Sequence, residues 1–308
     1  MSGPAGACPL CGGPLRPAGL DAWDRLVTGE GPFALLECPR CELGVTVGGD
    51  GELERFYGGE YFESFYSAAP RAPASGLERL RERYRRRAAA RRFAAPPFAV
   101  GGIAPGRVLD IGCGVGELLS RYAELGWRPC GVEPEQRAAE LARRRGADVH
   151  TGTLDDQPWE PGSFDLVVFS HSLEHIPDPL AALRTARDLL APGGAIAIHA
   201  PNWACWQRRV FRGRWFHLDL PRHRQHFSPR SLAFAATELE LELASAGTDA
   251  TVISLAYSVH YLIAGHWRPG WRLWLAYAIG AALYPAAAPV NRVLGADCCY
   301  ALLRRTRP

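Results

Sequence analysis

Between residues 107 and 200 the chain switches repeatedly between two hydrophobic periods. Short, nearly continuous apolar runs occupy 107–111, 128–134, 163–170 and 195–200, with a weaker one at 147–153. Such runs, bounded by glycine and proline, predict buried strands. Between them the apolar residues recur at spacings of three and four. Leu118, Leu119, Tyr122 and Leu125 share one face of a helix predicted over 115–125, with Gly126 as its stop. A second helix is predicted over 135–145 and closes at Gly146; a third starts at Asp178 as N-cap and stops at Gly193 and Gly194. Downstream, 231–247 reads as a helix, 251–258 as a sixth strand and 298–305 as a closing antiparallel strand. Strands that alternate with helices in this way specify an α/β fold built on a doubly wound parallel sheet. Ligands of such sheets bind beyond the C-terminal ends of the strands.

The flanking regions divide the chain. Residues 1–50 are rich in Cys, Gly and Pro, and 51–100 comprise a linker and a helical segment. Within that segment 67–76 reads as linker, and 77–93 as a helix that carries eight arginines between Arg79 and Arg92. The α/β domain then runs over 101–308, with an apolar insert at about 259–296. Composition changes this picture little. Hydrophobic residues make up 47% of the 308, enough for a full core, and a net charge of +3 creates no demand for nucleic acid. All 35 basic residues are arginine, so the 79–92 run reads as a solvated helix face in an arginine-biased chain. Nine cysteines follow a start that lacks the charged and apolar parts of an export leader, which points to the reducing cytoplasm.

The candidate chemistry gathers where the first predicted strand meets its helix, in "GRVLDIGCGVGELLSRYAELG" (106–126). Glycines at 112, 114 and 116 allow a tight turn and the close approach of a ligand to backbone. The spacing is G-x-G-x-G, not the G-x-G-x-x-G of a dinucleotide site, and Asp110 stands at the strand end. Glu133 ends the second strand, where a carboxylate can accept both hydroxyls of a ribose. "LDIGCGVG", "GVEP", "GSFDLVVFSHSLEHI" and "LLAPGG", in this order, resemble the class I S-adenosylmethionine-dependent methyltransferases, closely over 106–200. The resemblance implies a Rossmann-like, seven-stranded class I methyltransferase fold. It places Asp110, Gly112, Cys113, Gly114 and Gly116 around the methionine part of S-adenosyl-L-methionine, and Glu133 on the ribose diol. Thr153 stands where the family has an aspartate for the adenine amine, and Leu154 offers its backbone amide to the ring. Ser170 and His171 leave the fourth strand above the reaction centre.

A sulfonium methyl is already a good electrophile, so transfer needs alignment, and a base only where the acceptor must lose a proton. The candidate bases are His223 and His226, in "WFHLDLPRHRQHFSP" (215–229), and His171. A similar "W…D.PRH…FSP" segment belongs to related zinc-ribbon methyltransferases. Substrate hydrogen bonding or loop ordering is the competing role for His223 and His226. His175, in "LEHIPDP", reads as a loop-ordering residue, with Glu174 and His175 next in line for the acceptor site. His150, His260 and His266 read as packing residues.

Two C-x-x-C knuckles, Cys8 with Cys11 and Cys38 with Cys41, supply four thiolates. Four thiolates close a tetrahedral zinc shell, which makes the metal structural. This N-terminal zinc ribbon resembles that of a bacterial zinc-ribbon methyltransferase group that includes sugar C-methyltransferases. Cys113, Cys130, Cys205, Cys298 and Cys299 lack ligand spacing and read as buried or neutral thiols. In the insert, 273–290 carries no charge, and Pro285 and Pro289 are expected to break its helix. Two readings follow: a hairpin packed on the catalytic domain, or a dock on a membrane surface through Trp267, Trp271 and Trp274, with Arg268 and Arg272 at the headgroups. Either places the insert beside the acceptor pocket.

The sequence thus describes an S-adenosylmethionine-dependent methyltransferase with a structural zinc ribbon, acting on a small-molecule, sugar or lipid acceptor. RNA base methylation is the enzymatic alternative, supported only by the arginine-rich helix, and a non-catalytic scaffold is the other. The expected location is cytoplasmic, with peripheral contact at the inner membrane face through the insert.

Overall fold

The computed structural model describes residues 6–48, 56, 103–268 and 270–306. The linker and the arginine-rich helix expected over 67–93 lie outside these residues, as does the only sequence support for an RNA acceptor.

Two sheets organise the chain. The larger is built from β4 (Arg107–Ile111), β5 (Arg128–Glu133), β6 (Asp148–Thr151), β7 (Phe164–Ser170), β8 (Leu190–Pro201), β10 (Glu242–Asp249) and β11 (Cys298–Arg304). Its strand order is β10-β11-β8-β7-β4-β5-β6. β4 to β8 pair in parallel, and β11 is antiparallel to both of its neighbours. This is the doubly wound α/β sheet expected from the alternating periods. Its centre is dry: Leu166, Val167, Val168 and Phe169 of β7 and Ile196 and Ile198 of β8 are fully buried. Truncating such a residue, Phe169 for example, costs about 3–5 kcal/mol through lost transfer energy and the cavity left behind. The helices α1 (Glu117–Glu124), α2 (Gln136–Arg144) and α3 (Pro179–Leu189) cross between strands, and α4 (Trp206–Phe211) follows β8. Asp178 caps α3 as expected, its side chain accepting from the Ala181 amide at 2.9 Å.

The C-terminal third departs from the sequence reading in three places. The helix expected over 231–247 stops early: α5 is Pro229–Glu238, and the chain re-enters the sheet as β10. Glu240 takes a left-handed φ of 55°, which ends helical geometry, and the alternation Glu238-Leu239-Glu240-Leu241-Glu242-Leu243 already has the period of a strand. The sixth strand is therefore β10. The segment expected to supply it, 251–258, lies in α6 (Val252–Ala264). Thr251 caps α6 by accepting from the Ser254 amide, and Leu255, Ala256 and Val259 form the helix's buried face. Finally, α7 (Trp271–Leu294) runs unbroken through Pro285 and Pro289. Both prolines sit on its exposed side, away from the Ala276, Gly280, Ala287 and Asn291 stripe that packs inward. A Cβ on Gly280 would stand 2.9 Å from the Ala256 Cα, so glycine is what lets α6 and α7 approach so closely.

The smaller sheet comprises β1 (Arg16–Ala22), β2 (Phe33–Glu37), β3 (Gly44–Val47) and β9 (Gln225–His226), in that order. Its fourth strand comes from the segment that follows β8 in the chain: Gly44 pairs with His226 and Val45 with Gln225. A buried ion pair reinforces the seam. Arg222 donates to Asp24 at 2.8 Å and to Asp219 at 2.6 Å, and both Arg222 and Asp24 are fully buried. Trp203 lies against Gly44 and donates from Nε1 to Glu37 at 2.6 Å, with the Arg208 guanidinium 3.9 Å from its ring centre.

Candidate active site

The turn after β4 is shaped by its glycines. Gly112, Gly114 and Gly116 have φ of 73°, 52° and 78°. A Cβ on Gly112 would meet the Ser172 Cβ at 2.8 Å, so the turn and the loop after β7 press together only because that position is bare. The amides of Gly112 and Cys113 donate to the Val132 carbonyl at 2.8 and 3.1 Å, which ties the turn to β5. Glu133 continues the tie: its carboxylate accepts from the Gly114 amide at 2.8 Å and from the Glu135 amide at 2.9 Å. Burial pushes the Glu133 carboxyl up in spite of these two amides.

Asp110 is 2% exposed beside this turn, and its Oδ1 has no hydrogen-bond partner among the described residues. Burial, and after it the charge of Glu133, pushes its carboxyl well above the ordinary range. A buried acceptor of this kind is costly to leave unmade, so Asp110 and Glu133 offer a receptor for the donors of a ligand in the cradle. Next to it, the Gly152 amide donates to the Glu133 carbonyl at 3.1 Å, which brings Thr153 and Leu154 to the same strand ends. Thr153 is occupied locally: its amide donates to Asp156 at 2.7 Å, capping the short turn that holds buried Leu154. Cys113 is a buried thiol whose pKa burial raises.

Above the cradle the loop after β7 carries a cluster of imidazoles. Ser170 ends β7, and His171 follows it with a left-handed φ of 55°, a conformation unusual outside glycine. Its amide donates to the His199 carbonyl at 2.8 Å, and its ring meets that of His199 edge-on at 4.7 Å and stacks with His217 at 6.1 Å. The Nδ1 of His171 lies 3.5 Å from Glu174. His223 Nε2 lies 4.0 Å from the same Glu174 oxygen and 3.7 Å from Asp219, and its ring meets that of His175 at 4.7 Å. Burial, then the neighbouring His223, lowers His175 to about 4.

The structure thus brings His171 and His223 together through Glu174, which the sequence reading held only in reserve. It turns His226 elsewhere. That ring is buried in the ribbon seam, where Nε2 lies 2.9 Å from the Thr46 hydroxyl and the ring packs on Trp203. Burial holds it well below the ordinary histidine range. His199 escaped the sequence reading altogether. It is fully buried at the end of β8, with Nε2 2.8 Å from Asp249. The available signal was an ionisable residue at the end of the otherwise apolar "AIAIHA". Cys8, Cys11, Cys38 and Cys41 converge, with Sγ pairs at 3.5 and 3.4 Å, and the Gly13 amide points at the Cys11 sulfur. This donor set fits a tetrahedral zinc.

A family model described as a methyltransferase domain matches residues 78–246. The chain is 33% identical over 150 residues to a protein named ubiquinone biosynthesis O-methyltransferase from Xanthomonas campestris pv. campestris, covering 44% of this chain and 63% of that one. It is 35% identical over 108 residues to the protein of the same name from Albidiferax ferrireducens, covering 32% and 43%. The chain therefore spans less than two thirds of the length of these relatives. Among solved structures, geranyl diphosphate C-methyltransferase from Streptomyces coelicolor A3(2) aligns with a TM-score of 0.50 at 16% identity, over 78% of this chain and 88% of that one. A putative sarcosine dimethylglycine methyltransferase from Galdieria sulphuraria aligns with the same TM-score and identity, over 72% and 88%. At this identity the two speak for the fold.

Proposed function

Because the chain belongs to the methyltransferase-domain family and carries the class I fold of S-adenosylmethionine-dependent methyltransferases, we propose that it methylates a hydroxyl of an apolar small molecule drawn from a membrane surface. The observation that carries the reading is the stacking of two features at one end of the sheet. The cradle holds two buried carboxylates, Asp110 and Glu133. The His171 and Glu174 pair stands directly over it, since Ser172 packs on Gly112.

In this reading Asp110 and the glycine turn receive the methionine part of the cofactor. Glu133 receives the ribose hydroxyls, and Thr153 and Leu154 border the adenine. The bound cofactor supplies an electrophilic methyl on sulfur. His171 takes the acceptor's hydroxyl proton, with Glu174 stabilising the imidazolium, as a carboxylate does for a catalytic histidine. Held by these residues, the cofactor would give its methyl to the acceptor oxygen and would be left as a thioether. Ser170 positions the acceptor. His223 borders Glu174 at 4.0 Å, and His226 holds the ribbon.

The membrane part rests on α7. Trp271 and Trp274 are 69% and 66% exposed, Leu275, Leu283, Val293 and Leu294 are exposed with them, and the helix carries no acidic residue. This helix is long and apolar enough to cross a bilayer by length and composition, yet α6, before it, packs on the helical segments of 206–218, and β11, after it, is a strand of the larger sheet. Such a helix suits the interface plane, with Arg268, Arg272 and Arg292 at the headgroups. The path from it to the site is short. Tyr257 of α6 touches Phe216, next to His217, and the Phe216 amide donates to the Ser258 hydroxyl at 3.0 Å. The curated relatives' name points to a prenylated phenol as an acceptor of this chemistry. The proposed location is accordingly peripheral, at the cytoplasmic face of the membrane.

The test is transfer of labelled methyl from S-adenosylmethionine to a polyprenyl catechol in anionic vesicles. Wild type should label the lipid, and His171→Gln should lose at least a hundredfold in turnover while S-adenosylhomocysteine affinity, read by calorimetry, stays within twofold. Labelling of a water-soluble sugar with no labelling of the lipid would overturn the acceptor class.

A further inference from the structure

Glu174 is placed by its backbone, not by its side chain. The residue is 1% exposed, and neither carboxylate oxygen has a hydrogen-bond partner among the described residues. His171 Nδ1, at 3.5 Å, is too far for a good hydrogen bond. The Glu174 carbonyl, by contrast, accepts from the Arg224 amide at 2.8 Å. Further along the same loop the Pro177 carbonyl accepts from the Gln225 side-chain amide at 3.2 Å. This part of the loop after β7 is thus tied to residues 224 and 225. His171 is tied elsewhere, because its amide donates to the His199 carbonyl in β8 of the larger sheet.

The other edge of 223–226 belongs to the ribbon. The Thr46 amide of β3 donates to the Arg224 carbonyl at 3.0 Å, so the backbone of Arg224 links β3 to Glu174. The Thr46 hydroxyl donates to the His223 carbonyl at 2.7 Å and lies 2.9 Å from His226 Nε2. A hydroxyl has one proton, and the carbonyl takes it, so the His226 ring donates from Nε2. One side chain of the ribbon therefore serves two buried groups, and Thr46 itself is buried. A second tie starts at Asp24. It accepts from Arg222 Nη2 at 2.8 Å, and the same guanidinium holds Asp219 Oδ1 at 2.6 and 3.0 Å. The other Asp219 oxygen lies 3.7 Å from His223 Nε2, while His223 Nδ1 donates to the His217 carbonyl at 2.9 Å.

We propose that the ribbon is a working part of the acceptor site, with Thr46 as its positioning residue for Glu174 and His223. His171 is anchored on one sheet and Glu174 on the other. The separation of base and carboxylate then depends on how the ribbon is seated on 223–226. A displacement of about 1 Å at a reacting pair can cost about a hundredfold in rate, and Glu174 has no hydrogen bond of its own side chain to resist one. Without the Thr46 hydroxyl, the His223 carbonyl and the His226 ring proton would both be left unserved in a dry seam, which favours displacement of the segment. The catalytic role of Thr46 rests on the methyl-transfer reading of His171 and Glu174; the tie from β3 to the loop does not.

The test uses hydroxyl variants of the full chain. Thr46→Val keeps the side-chain shape and the amide bond but deletes the hydroxyl, and Thr46→Ser keeps the hydroxyl. With a polyprenyl catechol in anionic vesicles, Thr46→Val should lose about tenfold to a hundredfold in kcat, with acceptor KM and S-adenosylhomocysteine affinity within about twofold of wild type. The retained affinity, read by calorimetry, shows that the variant is folded. Thr46→Ser should recover most of the lost kcat. In a Glu174→Gln background, Thr46→Val should cost no more than about twofold, because its effect travels through that carboxylate. Hydrogen exchange supplies a reading that needs no turnover. Residues 171–177 should exchange at least about tenfold faster in Thr46→Val, while β4 and β7 exchange as in wild type. Wild type that labels no acceptor ends the methyl-transfer reading, and exchange then decides the tie alone. Unchanged exchange at 171–177 overturns the proposal. So does wild-type kcat in Thr46→Val, an equal loss in Thr46→Ser, or a loss that persists in full beside Glu174→Gln.

Discussion

At the scale of single residues, the carboxylates at the strand ends do two jobs. Glu133 shapes the glycine turn through two backbone amides, and in the proposed complex it also receives two hydroxyls. Glu133→Ala should therefore weaken S-adenosylhomocysteine by about 1.5–3 kcal/mol, the range for hydrogen bonds to a charged group. Calorimetry checks this, and unchanged affinity would displace the cofactor from this turn. Asp24 makes a prediction about pH. Burial raises its carboxyl, but the Arg222 guanidinium and the amides of Thr28 and Leu26 outweigh burial and hold it below the usual range. Its folded pKa thus lies below the unfolded value of about 3.9, so its stabilising contribution is complete above that value and is lost as pH falls through the folded pKa. Urea midpoints measured from pH 6 down to pH 2 should fall steeply at the acid end in wild type. In Asp24→Asn the unfolding free energy should already be lower near neutrality, by about 3–5 kcal/mol for a broken buried pair, with a shallower acid slope.

At the scale of elements, legibility followed the range of the interaction. β4, β5, β7 and α3 could be read from sequence because their signals are local: apolar runs bounded by glycine, and the Asp178 cap. The glycine turn with Asp110 and Glu133 was legible for the same reason. β10 was not, because the helix preference of 231–238 was carried across a change of period at Leu239. β9 was hidden as well. It is two residues long and exists only by pairing with a strand 180 positions away. The grouping of Glu174 with His171 and His223 needs the fold, since His223 arrives from the crossing segment after β8. The α6–α7 hairpin carries its own test. Flotation with anionic liposomes should be strong for wild type and absent for Trp271→Ala/Trp274→Ala. Both side chains are largely exposed, so the melting temperature should move by no more than about 2 °C, as for surface substitutions. Equal flotation of the double variant would return the hairpin to a purely packed role.

At the scale of the molecule, the ribbon and the α/β sheet share a strand, a buried ion pair and the Trp203 contact. Cys8, Cys11, Cys38 and Cys41 form a donor set that could hold zinc, and removal of a metal bound there should then be felt beyond residue 50. Chelation is expected to loosen β3 and to free β9, which lies next to His223. Hydrogen exchange should accelerate at 219–228 as well as at 8–48, while the β7–β8 core keeps its protection. Exchange confined to the ribbon would mean that the two parts are mechanically independent.

The shared strand also imposes an order of events on a growing chain. Thr46 emerges from the ribosome 180 residues before the His226 that it binds. At ~5–20 residues per second, that is a delay of roughly 10–40 s. Throughout it the two cysteine knuckles are already complete, while one edge of their sheet is bare. Metal captured early would hold those three strands as a preformed template, on which the 219–228 segment condenses when it arrives. The cysteines would then act first as a folding aid for the catalytic half, and only afterwards as its permanent brace.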